Sequence, residues 1–315
     1  MQQQTQSEYV ASQPQPMWRL LASVLRIHQW VKNLLIFVPI ITSHRIWDRH
    51  ALVAASITFA AFCLCASAAY ITNDLLDLES DRRHPLKRLR PFAAGALSLK
   101  AGYVLVPLLL AASAAFIVRV SQTVAAILFL YVILTLVYSL YLKRKLLLDV
   151  YLLSALYTIR IAAGGAATGI PLSPWLLSFA IFLFLSMAFS KRVSELQNLR
   201  AAGGHSTPGR AYRATDLEQV NTFGVSSGFL AALIFALYIN SDMVRSLYRH
   251  PEVLWLMCPL MLYWITRIWI LSFRGELHED PILFAVKDPV TYAVGVASVL
   301  LLVAATVNWG SFFLR

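Results

Sequence analysis

Apolar residues fall in long blocks along this chain, and polar residues gather in the short stretches between them. Nine blocks are at or near the ~20 residues that an α-helix needs to cross a bilayer. They lie at about 28–47, 50–72, 99–119, 122–142, 148–168, 172–190, 219–240, 252–272 and 289–309. Runs of this length read as spans rather than as core helices of a soluble fold. The pattern predicts an all-α integral membrane protein of nine transmembrane helices, with connections too short to hold a soluble catalytic domain. Residues 1–17, rich in Gln, Ser and Pro, read as a disordered tail, which leaves 18–315 as a single membrane domain. Nothing near the N-terminus has the form of a cleavable signal peptide.

Composition agrees. Hydrophobic residues make up 58% and charged residues 14%, against about 25% charged in a typical soluble domain. The formal net charge of +11 matters through its placement. Of the 27 Lys and Arg, nineteen lie in the N-terminal region or after the second, fourth, sixth and eighth blocks. Six lie on the opposite side (Arg45, Arg49, Arg119, Arg245, Arg249, Arg315), and Arg160 and Arg267 fall inside blocks. By the positive-inside tendency the nineteen face the cytoplasm. The N-terminus is then inside and the C-terminus outside a cell inner (plasma) membrane. Topology and anionic headgroups account for the basicity, so no nucleic-acid partner is expected. Cys63, Cys65 and Cys258 lie within blocks and are odd in number, which points to buried packing rather than disulfides.

Against this sparing use of charge, residues 73–81 stand out. Asn73-Asp74-Leu75-Leu76-Asp77-Leu78-Glu79-Ser80-Asp81 ends the second block with four of the chain's sixteen acids. Asp74, Asp77 and Asp81 are spaced i, i+3, i+7, so a helix would align all three carboxylates on one face. Hard oxygen ligands so arranged suit Mg²⁺, which bridges carboxylates to the oxygens of a phosphate or diphosphate. The basic run that follows, with Arg82, Arg83, His84, Lys87, Arg88 and Arg90, suits the same polyanion. The plainer alternative is a solvated helix end with ordinary i,i+4 pairing.

Other polar residues gather on the same predicted side. Asp149 and Arg160 are eleven residues apart, about three turns, and so share a helix face with Tyr157 nearby. An ionisable residue within a span, such as Arg160, is a functional candidate; the alternative is an Arg snorkelling to the interface or paired with Asp149 for structure. Gly164-Gly165 would let helices approach closely or break one locally. Lys191 and Arg192 could wall a phosphate, or Lys191 could simply pair with Glu195 four residues on. Residues 201–213 read as a flexible loop, either a mobile cover or merely solvated. Residues 275–281 with Asp288 form a second acidic cluster without regular spacing, suited to ligand contact or helix capping.

The motif Asn-Asp-x-x-Asp-x-x-x-Asp after the second of nine spans resembles the UbiA superfamily of intramembrane prenyltransferases, and the likeness covers essentially the whole chain. Several segments resemble one branch, the decaprenyl-phosphate phosphoribosyltransferases. They are Arg26 through Asn33 (Arg-Ile-His-Gln-Trp-Val-Lys-Asn), the run His-Pro-x-Lys-Arg-x-Arg-Pro-x-Ala-Ala-Gly ending at Gly95, residues 157–173, and Lys191 through Leu196. Aromatic prenyltransferases of the superfamily usually carry a second Asp-x-x-x-Asp, whereas here Asp149 has Leu153 at the fourth position.

The resemblance implies a UbiA-type bundle with cytoplasmic loops over the mouth of the active site. It implies transfer of 5-phosphoribosyl from phosphoribosyl diphosphate (PRPP) to a polyprenyl phosphate, feeding lipid-linked arabinofuranose for cell-envelope glycans. Mg²⁺ would sit on Asp74, Asp77 and Asp81, with Asn73 orienting a carboxylate or a ribose hydroxyl. Lys32, Lys87, Arg88, Arg90, Asp149, Tyr157, Arg160, Lys191 and Arg192 would form the phosphate-binding surroundings. The rival within the superfamily is an aromatic prenyltransferase using a prenyl diphosphate and an aromatic acceptor. A secondary transporter would place its ionisable residues along a path through the bilayer, often at a repeat interface, and no repeat is evident. The sequence admits a homo-oligomer and assigns none.

Overall fold

The computed structural model describes residues 16–83, 87–205, 210–277 and 281–307. Among them there is no β-strand, and the helices follow the apolar blocks. In chain order they are α1 (Met17–Leu25), α2 (Val38–Thr42), α3 (Arg49–Leu76), α4 (Leu78–Arg83), α5 (Leu99–Ile117), α6 (Gln122–Leu140), α7 (Leu148–Thr168), α8 (Pro174–Ala201), α9 (Leu217–Ile239), α10 (Asp242–Leu247), α11 (Met257–Phe273), α12 (Pro281–Ala285) and α13 (Pro289–Thr306). Among the described residues, eight segments are long and apolar enough to cross a membrane: Arg49–Leu76, Leu99–Ile117, Gln122–Leu140, Leu148–Thr168, Pro174–Ala201, Ala214–Ile239, Pro251–Phe273 and Pro289–Thr306. This is a multi-pass membrane protein.

The first expected span differs from the rest. Expected at 28–47, it is the second arm of a bent pair, Met17–Leu25 and Ile27–Thr42, which meet at 50°. Arg26 between them is left-handed (φ 50°, ψ 50°) and ends α1, and residues Ile27–Phe37 continue as tight 3₁₀ turns. A left-handed non-glycine residue is sterically disfavoured and needs surrounding structure to hold it. Arg26 is held by its side chain, as shown below. Met17 already belongs to α1, and residues 1–15 of the expected tail lie outside the described residues.

The chain forms two compact units, residues 1–139 with 162–170, and residues 140–161 with 171–315. In the first, α3 starts at Asp48, whose carboxylate accepts from the Ala51 N–H at 3.1 Å. Its small residues admit α5, and Ser113 Oγ donates to the Ala61 carbonyl at 2.7 Å. Gly164 meets the 3₁₀ segment so closely that a Cβ there would fall 2.0 Å from the Ile36 carbonyl oxygen. The glycine pair thus serves close approach, and α7 runs unbroken through it. Val24, Ile71 and Phe92 form a buried cluster that fixes α1 against α3.

In the second unit, α8 begins at Ser173, which caps the Trp175 N–H, and is packed by α9 and α11. Gly224 of α9 lies where a Cβ would be 2.2 Å from the Trp269 ring. Trp269 Nε1 donates to Ser186 Oγ at 3.0 Å, and Ser272 Oγ to the Ser190 carbonyl at 2.7 Å. These bonds supply partners for polar groups that lipid would leave bare. Arg267, expected inside a span, donates through two nitrogens to Asp288 at 2.7 and 3.0 Å. Asp288 also caps α13 through the Thr291 N–H at 2.9 Å, so its share of the second acidic cluster is helix capping. Residues 278–280 of that cluster lie outside the described residues. All three cysteines are free thiols.

Candidate active site

The Asp-rich segment does not form one straight helix. α3 ends at Leu76, Asp77 takes a non-helical turn (φ −94°, ψ 10°), and α4 restarts at Leu78. The break has an electrostatic rationale. It moves Glu79 and Asp81 from the carbonyl end of a long helix dipole to the first turn of a new one, where acids are favoured. Asp74 and Asp81 are buried, 5% and 2% exposed, and Asp77 is half-buried.

Burying two carboxylates requires cations beside them, and two arginines supply these. Arg90 Nη1 lies 3.0 Å from Asp74 Oδ1 and 2.6 Å from Asp81 Oδ2 and so ties the two acids together. Arg26 Nη2 donates to the same Asp74 Oδ1 at 2.5 Å. The Arg26 guanidinium also lies over the Tyr70 ring, 4.9 Å from its centroid. Both arginine side chains keep solvent contact, at 18% for Arg26 and 26% for Arg90. Lys87 and Arg88 are exposed on the short 3₁₀ turn just before Arg90. His84 and Pro85 of the expected basic run lie outside the described residues. Asn73 is half-buried on the last turn of α3, and its carbonyl accepts the Asp77 N–H at 2.9 Å. Lys32 is buried within the 3₁₀ segment beside Asn33.

Among the described residues, no three His, Cys, Asp or Glu side chains converge as a metal-binding group. Two carboxylates do converge on Arg90. Mg²⁺ commonly takes one or two protein carboxylates and completes its shell with water and substrate phosphate. The donor set of Asp74 and Asp81 therefore fits that ion.

The second unit holds another cluster, around Asp149. Arg192 Nε lies 2.8 Å from Asp149 Oδ2, and its Nη1 donates to Glu195 Oε2. Arg210 Nη1 reaches Asp149 Oδ2 at 3.2 Å, and its Nε lies 3.5 Å from Glu195 Oε2. Tyr212 donates its hydroxyl to Asp149 Oδ1 at 2.6 Å and accepts the Leu147 N–H at 3.2 Å. Leu147 is left-handed (φ 66°) just before α7 begins, so Tyr212 secures a strained residue. Burial, together with the bond to Asp149, pushes the Tyr212 hydroxyl well above the usual tyrosine range and keeps it a donor. Asp149 and Arg192 are 0% and 1% exposed. Glu195 is thus paired with Arg192 and Arg210, in addition to feeling the Lys191 charge that the spacing suggested. The expected flexible loop is pinned at its far end by Tyr212 and by the Ala214 N–H on the His205 carbonyl at 3.1 Å; residues 206–209 lie outside the described residues.

Arg160 is buried on α7, with Nη1 donating to the Leu156 carbonyl and its guanidinium 5.5 Å from the Tyr157 ring centroid. Tyr157 stacks in turn on Phe184. Lys191 is half-buried beside Arg192 on α8. Sequence reasoning passed over Arg26 as a site residue, and also Arg210 and Tyr212. Arg26 lies 48 positions from Asp74, and Tyr212 lies 63 from Asp149, so no local spacing announces either contact.

A family model described as the UbiA prenyltransferase family matches residues 37–288. The chain is 39% identical over 274 residues to a Sinorhizobium fredii protein, "Uncharacterized protein y4nM", which covers 87% of this chain. The chain spans only 53% of that protein's length. It is 36% identical to nodulation protein NoeC of Azorhizobium caulinodans, with 84% of this chain and 85% of NoeC aligned. It is 37% identical over 202 residues to decaprenyl-phosphate phosphoribosyltransferase of Mycolicibacterium smegmatis, covering 63% of this chain and 64% of that one. Among solved structures, a UbiA homologue from Archaeoglobus fulgidus, bound to GPP and Mg²⁺, superposes with a TM-score of 0.66 at 18% identity. That match covers 90% of this chain and 96% of the other, and it establishes a shared fold.

Proposed function

Since this chain belongs to the UbiA prenyltransferase family, we propose that within it the protein is a polyprenyl-phosphate phosphoribosyltransferase. It would move 5-phosphoribosyl from PRPP to a polyprenyl phosphate and release diphosphate. The observation that carries this reading is the distribution of acids and cations. One pair of carboxylates, Asp74 and Asp81, meets solvent-touching arginines, with Lys87 and Arg88 exposed beside them. The carboxylates of the second cluster, Asp149 and Glu195, are both taken up by arginines. One metal-held diphosphate, with further basic side chains close by for phosphate monoesters, is what phosphoribosyl transfer between these substrates requires. The likeness to decaprenyl-phosphate phosphoribosyltransferases supports the same substrate pair.

In this reading Asp74 and Asp81 hold Mg²⁺, with Asp77 at the break beside them. The ion supplies charge neutralisation for the departing diphosphate. Arg90, Lys87 and Arg88 hold phosphate oxygens, Arg being suited to bidentate contact. Lys32, Arg160, Tyr157 and Lys191 are assigned to the remaining phosphates and to the ribose, and Asn73 orients a carboxylate or a hydroxyl. Asp149 and Arg192 are assigned a holding role, since they are spent on each other and on the loop that Tyr212 secures. The acceptor phosphate is already an anion, so no strong general base is needed. Its oxygen forms a bond to ribose C1 as the bond from C1 to the diphosphate breaks. Diphosphate leaves with the electron pair, C1 passes through an oxocarbenium-like state, and its configuration inverts. The isoprenoid tail stays against the apolar helices. With the basic loops cytoplasmic, the Asp-rich segment faces soluble PRPP from the inner face of the plasma membrane. The product would feed lipid-linked arabinofuranose for cell-envelope glycans.

The test is a donor and acceptor exchange with purified protein in detergent and Mg²⁺. Label from PRPP should enter the lipid phase only with a polyprenyl phosphate, and should be lost in Asp77→Ala. Transfer from a prenyl diphosphate to an aromatic acceptor instead would replace this reading with the aromatic prenyltransferase.

A further inference from the structure

We propose that Arg26 competes with the divalent cation for Asp74, so that the cation is held tightly only when an anion draws Arg26 away. The inference rests on the reading that Asp74 and Asp81 hold the metal. Its basis is the crowding at one atom. Asp74 Oδ1 already accepts Arg26 Nη2 at 2.5 Å and lies 3.0 Å from Arg90 Nη1. A carboxylate oxygen has two lone pairs, and both are directed at guanidinium groups. A cation that takes this oxygen must displace one of them, and it also meets their positive charge at close range.

Arg26 is the arginine built for that contest. Arg90 is shared between Asp74 and Asp81 and can keep Asp81 when it loses Asp74. Arg26 has Asp74 as its ion pair, and in that same pose its guanidinium is supported by the Tyr70 ring, 4.9 Å from the centroid. Its backbone is held left-handed at the break between α1 and the 3₁₀ segment. That geometry fixes where the side chain starts, within a side chain's reach of the carboxylate. Its solvent contact leaves an outward path for the guanidinium. A diphosphate offers that guanidinium a stronger partner than Asp74 alone. Cation and diphosphate should then bind cooperatively, each raising the other's affinity by the same factor.

The experiment is equilibrium dialysis of the detergent-purified protein with Mn²⁺, alone and with inorganic pyrophosphate. Dialysis separates protein-bound ion from the soluble Mn²⁺–pyrophosphate complex. Arg26→Gln should bind Mn²⁺ alone about tenfold tighter or better than wild type, within the ~5–150-fold range of typical couplings. Its gain on adding pyrophosphate should shrink. Tyr70→Leu removes the ring beneath Arg26 and leaves both charges in place; it should shift the affinity in the same direction by a smaller factor. Folding of each variant is checked by its melting transition, and Tyr70→Leu serves if Arg26→Gln fails to fold. Unchanged or weaker Mn²⁺ binding in folded Arg26→Gln, with Asp74→Asn still abolishing the site, overturns the competition and leaves the metal assignment standing. Mn²⁺ binding that survives Asp74→Asn overturns both.

Discussion

The Asp74 and Asp149 clusters use the same chemistry and differ in access. Each unites a buried carboxylate with two arginines, and each adjoins a left-handed non-glycine residue, Arg26 or Leu147. Around Asp74 both arginines touch solvent. Around Asp149, Arg210 also touches solvent at 22%, but Arg192 is sealed, and a tyrosine hydroxyl completes the carboxylate's partners. A buried ion pair closed off from water is poor at exchanging partners, because each exchange exposes an uncompensated charge to a low-dielectric surround. A pair whose cations reach water can release them at lower cost. The first arrangement suits a site that trades ligands each turnover, and the second suits a strut.

If that contrast holds, the largest effect belongs to the strut. Arg192→Leu leaves Asp149 short of its sealed cation and should destabilise the fold by about 3–5 kcal/mol, read by denaturant unfolding in mixed micelles. Asp74→Asn should instead leave a folded protein. Its transfer rate should fall by more than the ~10–100-fold that follows loss of a mere supporting group around a metal, measured as label entering lipid. Next comes Tyr212→Phe, which deletes a hydrogen bond to a charged group and frees Leu147. It should cost about 1.5–3 kcal/mol of stability, with the rate per folded molecule within a few-fold of wild type.

The smallest effect calibrates the other two with a third pair of the same chemistry. At Asp288, burial raises the carboxyl, but hydrogen bonds from Arg267 and Thr291 outweigh it and hold the group below its usual value. A carboxyl depressed by folding contributes stability that is present above its ordinary value and lost as pH falls through the folded one. Melting temperature should therefore drop slightly more for wild type than for Asp288→Asn between pH 5 and pH 3, about the ordinary carboxylate value near 4. An equal drop would mean that the pair adds nothing.

Much of the fold was legible because a bilayer demands long apolar runs, and eight of the nine expected spans are helices that meet the demand. The first, expected at 28–47, ends at Thr42 and is joined to a preceding helix, Met17–Leu25, that the apolar blocks did not include. Hydropathy averages over a window and is blind to one residue's φ, so the bend at Arg26 left no mark. The Asp-rich motif and Arg90 were legible because they are close in sequence. The break at Asp77 was not, since i, i+3, i+7 spacing assumes the very helix that ends there. Arg26 and Tyr212 were invisible as partners because folding, and no local period, brings them to their carboxylates. Glu195 shows how spacing captures part of a network. The i,i+4 reading pointed to Lys191, whose charge does act on Glu195. Arg192 adds an i,i+3 pair on the same helix, and only Arg210 is brought in by tertiary geometry.

The most direct measurement is the rate of phosphoribosyl label transfer from PRPP to a polyprenyl phosphate, per folded molecule, in wild type, Asp74→Asn and Tyr212→Phe. Wild-type transfer, a folded but silent Asp74→Asn, and a less stable Tyr212→Phe that still works are the expected results. A folded Asp74→Asn that transfers label at the wild-type rate, or wild-type protein that transfers none, would contradict the assignment of the Asp74 cluster as the working site.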